Sequence, residues 1–147
     1  MTFTLRPATL ADVEEILPRT CALNAHEGIV VGLPELRAAL VRLLGDRSLG
    51  GVWLVEDAGT PIGHAVVTFG YDLEFAGRDA WLTEFWIDDS ARGRGAGAVA
   101  LELLDAELRA HDVAAYHLQV RSDNPALRLY ERHGFSRIPR LLLTRRL

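Results

Sequence analysis

Three sets of side chains in this sequence have the types and spacing for chemistry. The first is Arg92-Gly93-Arg94-Gly95-Ala96-Gly97, a turn of small residues and cations between two patterned segments. Trp81–Ile87 before it is aromatic and β-branched, which suits a buried strand. After it, Leu101, Leu104 and Leu108 share one helical face with Gly97, while Glu102, Asp105 and Arg109 fall on another. A strand that feeds a helix through glycines leaves the first helical amides without intrahelical partners. Those amides and the helix dipole attract anions, and glycine lets a phosphate come close to the backbone. Arg92 and Arg94 either pair with phosphate or stand solvated in the loop. The second candidate is Tyr130, whose phenol stays protonated at neutral pH and can donate to a leaving group, or else packs in the core with Leu127. The third is Glu84, on the central strand between Leu82 and Trp86. A carboxylate there is costly to bury unless paired, and burial would raise its pKa toward that of a useful base; a structural carboxylate bonded to backbone or arginine is the alternative.

Several other chemistries are excluded. A Walker loop needs a Gly-Lys-Ser/Thr ending, and the chain contains no lysine. The dinucleotide fingerprint is Gly-x-Gly-x-x-Gly, whereas the glycines here run Gly-x-Gly-x-Gly after a mid-chain strand. The histidines at 26, 64, 111, 117 and 133 lack metal-ligand spacing, so no metal is expected. A net charge of −4 argues against non-specific nucleic-acid binding. No apolar run approaches a membrane span, and no leader pattern opens the chain. The single Cys21 forms no intrachain disulfide, fits a reducing cytoplasm, and is expected in the core rather than as a nucleophile. Arginine at every Lys/Arg position, with abundant Ala, Leu and Gly, suggests a GC-rich, bacterial coding bias.

The elements that must position these residues follow from pattern. At 147 residues, one domain covering 1–147 is expected. Thr2–Arg6 reads as a strand. Thr9 and Asp12 form a capping box for a helix faced by Val13, Ile16, Leu17 and Cys21, which Pro18 should kink or split. A second helix begins near Pro34, with Leu36, Leu40, Leu43 and Leu44 as its stripe. Val52–Glu56 and Ile62–Phe69 are strands joined by a turn at Asp57–Pro61, and Gly70–Asp79 reads as a loop. Tyr116–Arg121 is a fifth strand, parallel to Trp81–Ile87 by the right-handed crossover rule. A helix runs from Pro125 to Gly134, and Ile138–Arg145 supplies one or two terminal strands. The order is βααβββαβαβ, a mixed α/β (α+β) fold.

The glycine-rich turn resembles the acetyl-CoA loop of the GNAT superfamily of N-acetyltransferases, whose pattern is Gln/Arg-x-x-Gly-x-Gly/Ala; Arg92, Gly95 and Gly97 match in register. A second resemblance runs from Asn124 to Phe135, with Ala126, Tyr130, Gly134 and Phe135 at the family's positions. One departure is that Asp123 fills the slot seven residues before the tyrosine, with Asn124 six before it. The family's acidic pair on the central strand is also halved, since Thr83 precedes Glu84. The resemblance implies a twisted mixed sheet whose fourth and fifth strands splay. It implies that Phe85, Trp86 and Ile87 bind the pantetheine arm through their backbone, and that Arg92, Gly93, Arg94, Gly95, Ala96, Gly97 and Asn124 contact acetyl-CoA. Tyr130 becomes the acid and Glu84 the candidate base for acetyl transfer to a primary amine of a small molecule or peptide, in a ternary complex. By the same analogy, the 24–33 and 70–79 loops flank the acceptor, where Glu27, Asp72, Glu74 and Asp79 favour a cation. A homodimer is an open expectation. The replacement of one strand acid by Thr83 keeps a second reading open, a non-catalytic acyl-CoA-binding or sensor domain.

Overall fold

A computed structural model describes residues 2–147. Its elements are β1 (Phe3–Pro7), α1 (Val13–Glu27), α2 (Leu33–Gly45), β2 (Gly50–Asp57), β3 (Thr60–Asp72), β4 (Gly77–Ile87), α3 (Ala96–Ala110), β5 (Val113–His117) and α4 (Ala126–Arg132). The five strands lie in chain order in one sheet, antiparallel throughout except for the parallel β4–β5 pair. Helices α1 and α2 cover one face, where Val13, Ile16, Leu17 and Leu40 pack on Val52, Leu54 and Val66. On the other face, Leu101, Leu104 and Leu108 of α3 and Tyr130 of α4 pack on Trp53, Ala65, Val67, Ala80 and Leu82. This is the expected mixed architecture, with α3 in the crossover between the parallel strands.

Local chemistry explains most boundaries. The capping box forms as expected: Thr9 Oγ1 accepts from the Ala11 amide at 3.3 Å and Asp12 Oδ2 from the Thr9 amide at 2.8 Å. It starts a short 3₁₀ turn, Leu10–Asp12, that leads into α1. β2 and β3 meet in a two-residue turn, Ala58-Gly59, both at positive φ, as a tight hairpin with twisted strands requires.

Five expectations are corrected. Pro18 does not split the first helix: α1 runs unbroken from Val13 to Glu27, and Arg19 Nη1 donates to the Glu15 carbonyl at 2.6 Å beside the proline. Cys21 is exposed, and Thr20 takes the buried position on that face instead. The expected 70–79 loop is mostly strand, because β3 and β4 extend toward each other and leave only the 3₁₀ turn Leu73–Phe75 between them. Residues 138–145 form no strand, so the order among the described residues is βααβββαβα. β5 also begins earlier than expected and ends at His117.

Asp12 has a second role. Arg6 grips both its oxygens, at 3.0 and 3.1 Å, and this hydrogen bonding holds the carboxyl below its ordinary value of 3.8. A carboxylate with a lowered folded-state pKa stabilises above its unfolded pKa, and that stability is lost as pH falls through the folded value. Asp12→Asn is therefore expected to cost about 1–2 kcal/mol at pH 7, the scale of a lost charged hydrogen bond. In urea melts at falling pH, the gap between the two proteins should close below pH 4; a constant gap would contradict this account.

Candidate active site

The β4–β5 ladder starts at Arg78↔Val113 and ends at Trp81↔His117. Beyond it, β4 continues to Ile87 while β5 has stopped, so that side of Phe85–Ile87 is an edge without a neighbouring strand. A cleft of about 540 Å³ opens there, walled by Phe85–Ile87, the glycine-rich turn, the start of α4 and the last turn of α1. Of the expected cofactor-binding residues it brings together Phe85, Trp86, Ile87, Arg92, Gly93, Gly95, Ala96, Gly97 and Asn124.

The turn has the geometry its composition predicts. Gly93 and Gly95 have φ values of 77° and 82°, left-handed conformations that cost other residues strain. Val99, bonding the Gly95 carbonyl at 3.2 Å, is the first amide after the turn with a backbone partner, so among the described residues the amides of 93–98 have none. Gly97 lies tight beneath α4, where an added Cβ would sit 3.0 Å from Leu129 Cδ2. Arg92 folds back on β4: its Nε donates to the Ile87 carbonyl at 2.8 Å and its guanidinium lies 4.8 Å over the Trp86 ring. Trp86 in turn donates to Asp88, which Arg19 of α1 grips at 2.7 and 3.0 Å. This chain of contacts fastens α1, the end of β4 and the turn into one wall.

Arg94 points elsewhere. Its Nη2 donates to Asp57 at 2.7 Å and its guanidinium lies over Phe3, so it does not line the cleft. Asn124 uses Oδ1 to accept from the Ala126 amide at 2.9 Å, capping α4 while lining the cleft.

Tyr130 is 9% exposed, packed near Phe85 and Phe135, and its hydroxyl has no hydrogen-bond partner among the described residues. Burial, with the nearby Glu27 carboxylate, pushes its pKa up to about 12. It is both a core aromatic and a cleft residue. Asparagine and tyrosine thus reach the cleft from opposite ends of α4.

Glu84 is placed differently from expectation. Val66 faces Glu84 while Val67 faces Leu82, so Thr83 is an extra residue in β4. That bulge flips the alternation and turns Glu84 toward α1, away from the face that Leu82 occupies. There Thr20 Oγ1 donates to Glu84 Oε1 at 2.7 Å, and the fully buried His64 reaches the same oxygen through Nε2 at 2.8 Å. Glu84 lines neither this cleft nor the second cavity, and its bonds to Thr20 and His64 strap α1 to the sheet.

Sequence reasoning missed several groups. Thr20 was legible, since helical spacing from Val13 and Ile16 reaches it. His64 shares a strand face with Val66, an ionisable group among apolar ones. His26 and Arg132 also line the cleft, and among the described residues Glu27 is its only carboxylate. A second cavity of about 600 Å³ shares Tyr130 with the first and is lined by Tyr116 and His117 of β5.

Known proteins agree with this geometry. The Acetyltransferase (GNAT) family profile matches residues 19–135. No curated protein matches the chain. Among solved structures, an integron cassette protein from the mobile metagenome of Cole Harbour Salt Marsh is 26% identical, with a TM-score of 0.85 over 97% of this chain and 90% of that one. A GCN5-related N-acetyltransferase from Ralstonia eutropha JMP134 shares the fold at 20% identity and a TM-score of 0.80, over 97% of each chain. A predicted acetyltransferase from Clostridium acetobutylicum, crystallised with acetyl-CoA, does so at 19% and 0.80, over 97% of this chain and 96% of that one. With the profile spanning most of the chain, and the splayed strands and glycine-rich turn in place, this protein belongs to the GNAT family of acetyltransferases.

Proposed function

We propose that residues 1–147 act as one bacterial, cytoplasmic acetyltransferase domain that moves an acetyl group from acetyl-CoA to a primary amine by direct attack in a ternary complex. The observation that carries this reading is the single cleft that joins a phosphate-ready turn, a free strand edge and an unpartnered phenol. Acetyl-CoA supplies an acetyl group activated as a thioester. The partnerless amides of the turn and Arg92 suit its diphosphate. The free edge of β4 suits the amides of its pantetheine arm, which would pair there as an added strand. Only the Ile87 carbonyl is already taken, by Arg92.

Tyr130 is the donor to the departing sulfur. Its raised pKa keeps it a phenol at neutral pH, and in a dry site its hydrogen bond to developing negative charge gains strength. The amine attacks without a covalent enzyme intermediate, because no residue in the cleft is an activated nucleophile: its ionisable members are His26, Glu27, Arg92, Tyr130 and Arg132. The test is steady-state release of free thiol from acetyl-CoA across a panel of primary amines. Amine-dependent thiol release is expected. Tight acetyl-CoA binding with no amine-dependent release would favour the non-catalytic binder instead.

A further inference from the structure

We infer that the second cavity is the acceptor chamber, that His117, oriented by Asp79, is the general base within it, and that it takes a primary amine borne on an apolar or aromatic body. This inference rests on the acetyltransferase reading above. A ternary complex needs two chambers that meet where the acetyl group changes hands. The two cavities share Tyr130 and, among the described residues, no other lining residue. The first carries the anion-binding turn. The second, about 600 Å³, has apolar and aromatic walls that include Phe75, Trp81 and Leu118.

His117 stands at the last rung of the β4–β5 ladder, opposite Trp81, where the strands part. Its ring is flanked by Phe75 and Trp81, with centroids at 5.3 and 5.1 Å. Asp79, 6% exposed, accepts from His117 Nε2 at 3.1 Å. Room for that carboxylate comes from Gly70, where an added Cβ would lie 2.6 Å from Asp79 Oδ1. An imidazole that donates Nε2–H to a buried carboxylate keeps its Nδ1 lone pair as the basic site. A neutral imidazole is also the side chain most often used as a general base.

The other charges around the chamber are largely paired. Glu74 meets Arg140 at 2.9 Å, and Glu131 meets Arg137 at 3.3 Å. Asp72 accepts from the Glu74 amide at 2.9 Å. Asp79 therefore remains as the charge in contact with the imidazole. The competing carboxylates are less well placed, because Glu84 lines neither cavity and Glu27 lines only the first.

The proposed step balances as follows. His117 Nδ1 takes one proton from the ammonium. The freed nitrogen pair forms the C–N bond as the C–S bond breaks, and sulfur leaves with that bond's electrons and the Tyr130 proton. The phenolate recovers a proton from the nitrogen that has become an amide, and the imidazolium returns its own to water.

The experiment is a pH–rate profile with 2-phenylethylamine for wild type, His117→Gln, Asp79→Asn, Glu27→Gln and Glu84→Gln, with acetyl-CoA affinity as the check on folding. His117→Gln should lower kcat/KM by about 10²-fold near neutrality, with the gap closing as pH nears the amine's own pKa, where free amine is supplied by solution. Asp79→Asn should lower kcat/KM about tenfold with acetyl-CoA affinity held, since the imidazole loses the carboxylate that orients it. Wild type should also prefer 2-phenylethylamine to methylamine at least tenfold in kcat/KM. A profile for His117→Gln parallel to wild type, a pH-dependent loss at Glu27 or Glu84 instead, or a preference for methylamine would overturn the inference while leaving acetyl transfer intact. Should His117→Gln not fold, an unchanged kcat/KM in Asp79→Asn overturns it equally. Absence of turnover by wild type with any amine would overturn both readings.

Discussion

Tyr130→Phe is expected to lower kcat by about 10²-fold or more, the usual scale for loss of a general acid. The substitution removes one oxygen and leaves the ring against Phe85 and Phe135, so the α4 contacts that support the core remain. The lost hydroxyl has no hydrogen-bond partner to strand, and stability should change little. Acetyl-CoA affinity should persist too, because the turn and the β4 edge are untouched. The signature is thus a fall in kcat with KM for acetyl-CoA and the melting temperature both held. Because burial and Glu27 push the phenol up to about 12, the wild-type rate should not decline through titration of Tyr130 below pH 10. Wild-type kcat in the variant, with chemistry shown to be rate-limiting, would move the acid elsewhere.

Gly95→Asn is expected to weaken acetyl-CoA binding at least tenfold. The left-handed conformation at 82° admits asparagine more readily than any branched residue. No atom lies within 4 Å of the added Cβ, so folding should cost only about 1 kcal/mol. The side chain would stand over a turn whose partnerless amides need close approach by an anion. Gly59→Asn is the matched control. It has φ of 84° and equally open space, but sits in the β2–β3 hairpin away from the cleft. Calorimetric titration should separate the two variants clearly, and equal affinities would remove the turn from the binding site.

How much of this was readable in advance depends on the range of the interactions involved. The turn and α3 were legible because a strand, glycines and an apolar stripe are consecutive. The α4 motif was legible for the same reason. Thr20 was missed by one position, which on a helix is a rotation of about 100°. Glu84 was misdirected by the bulge at Thr83, an irregularity in pairing with β3 that no local pattern announces. Residues 138–145 carry the composition of a strand, with Leu141–Leu143 in a run, yet pairing needs a partner edge in the right place and β5 ends at His117. The Asp79–His117 contact spans two strands linked by α3, and only the parallel register sets it. The continuity of α1 through Pro18 is likewise not announced by local sequence, which places a helix breaker there.

The central claim is direct transfer of the acetyl group to an amine in this cleft. Its most direct test is a single turnover with acetyl-labelled acetyl-CoA, following the label by mass on protein, amine and cofactor. Without amine, the label should stay on CoA and the protein mass should not change. With amine, label should appear on the amine nitrogen in step with free thiol, and never on the protein. Label on the protein before it reaches the amine, or free acetate in place of acetylated amine, would contradict the account.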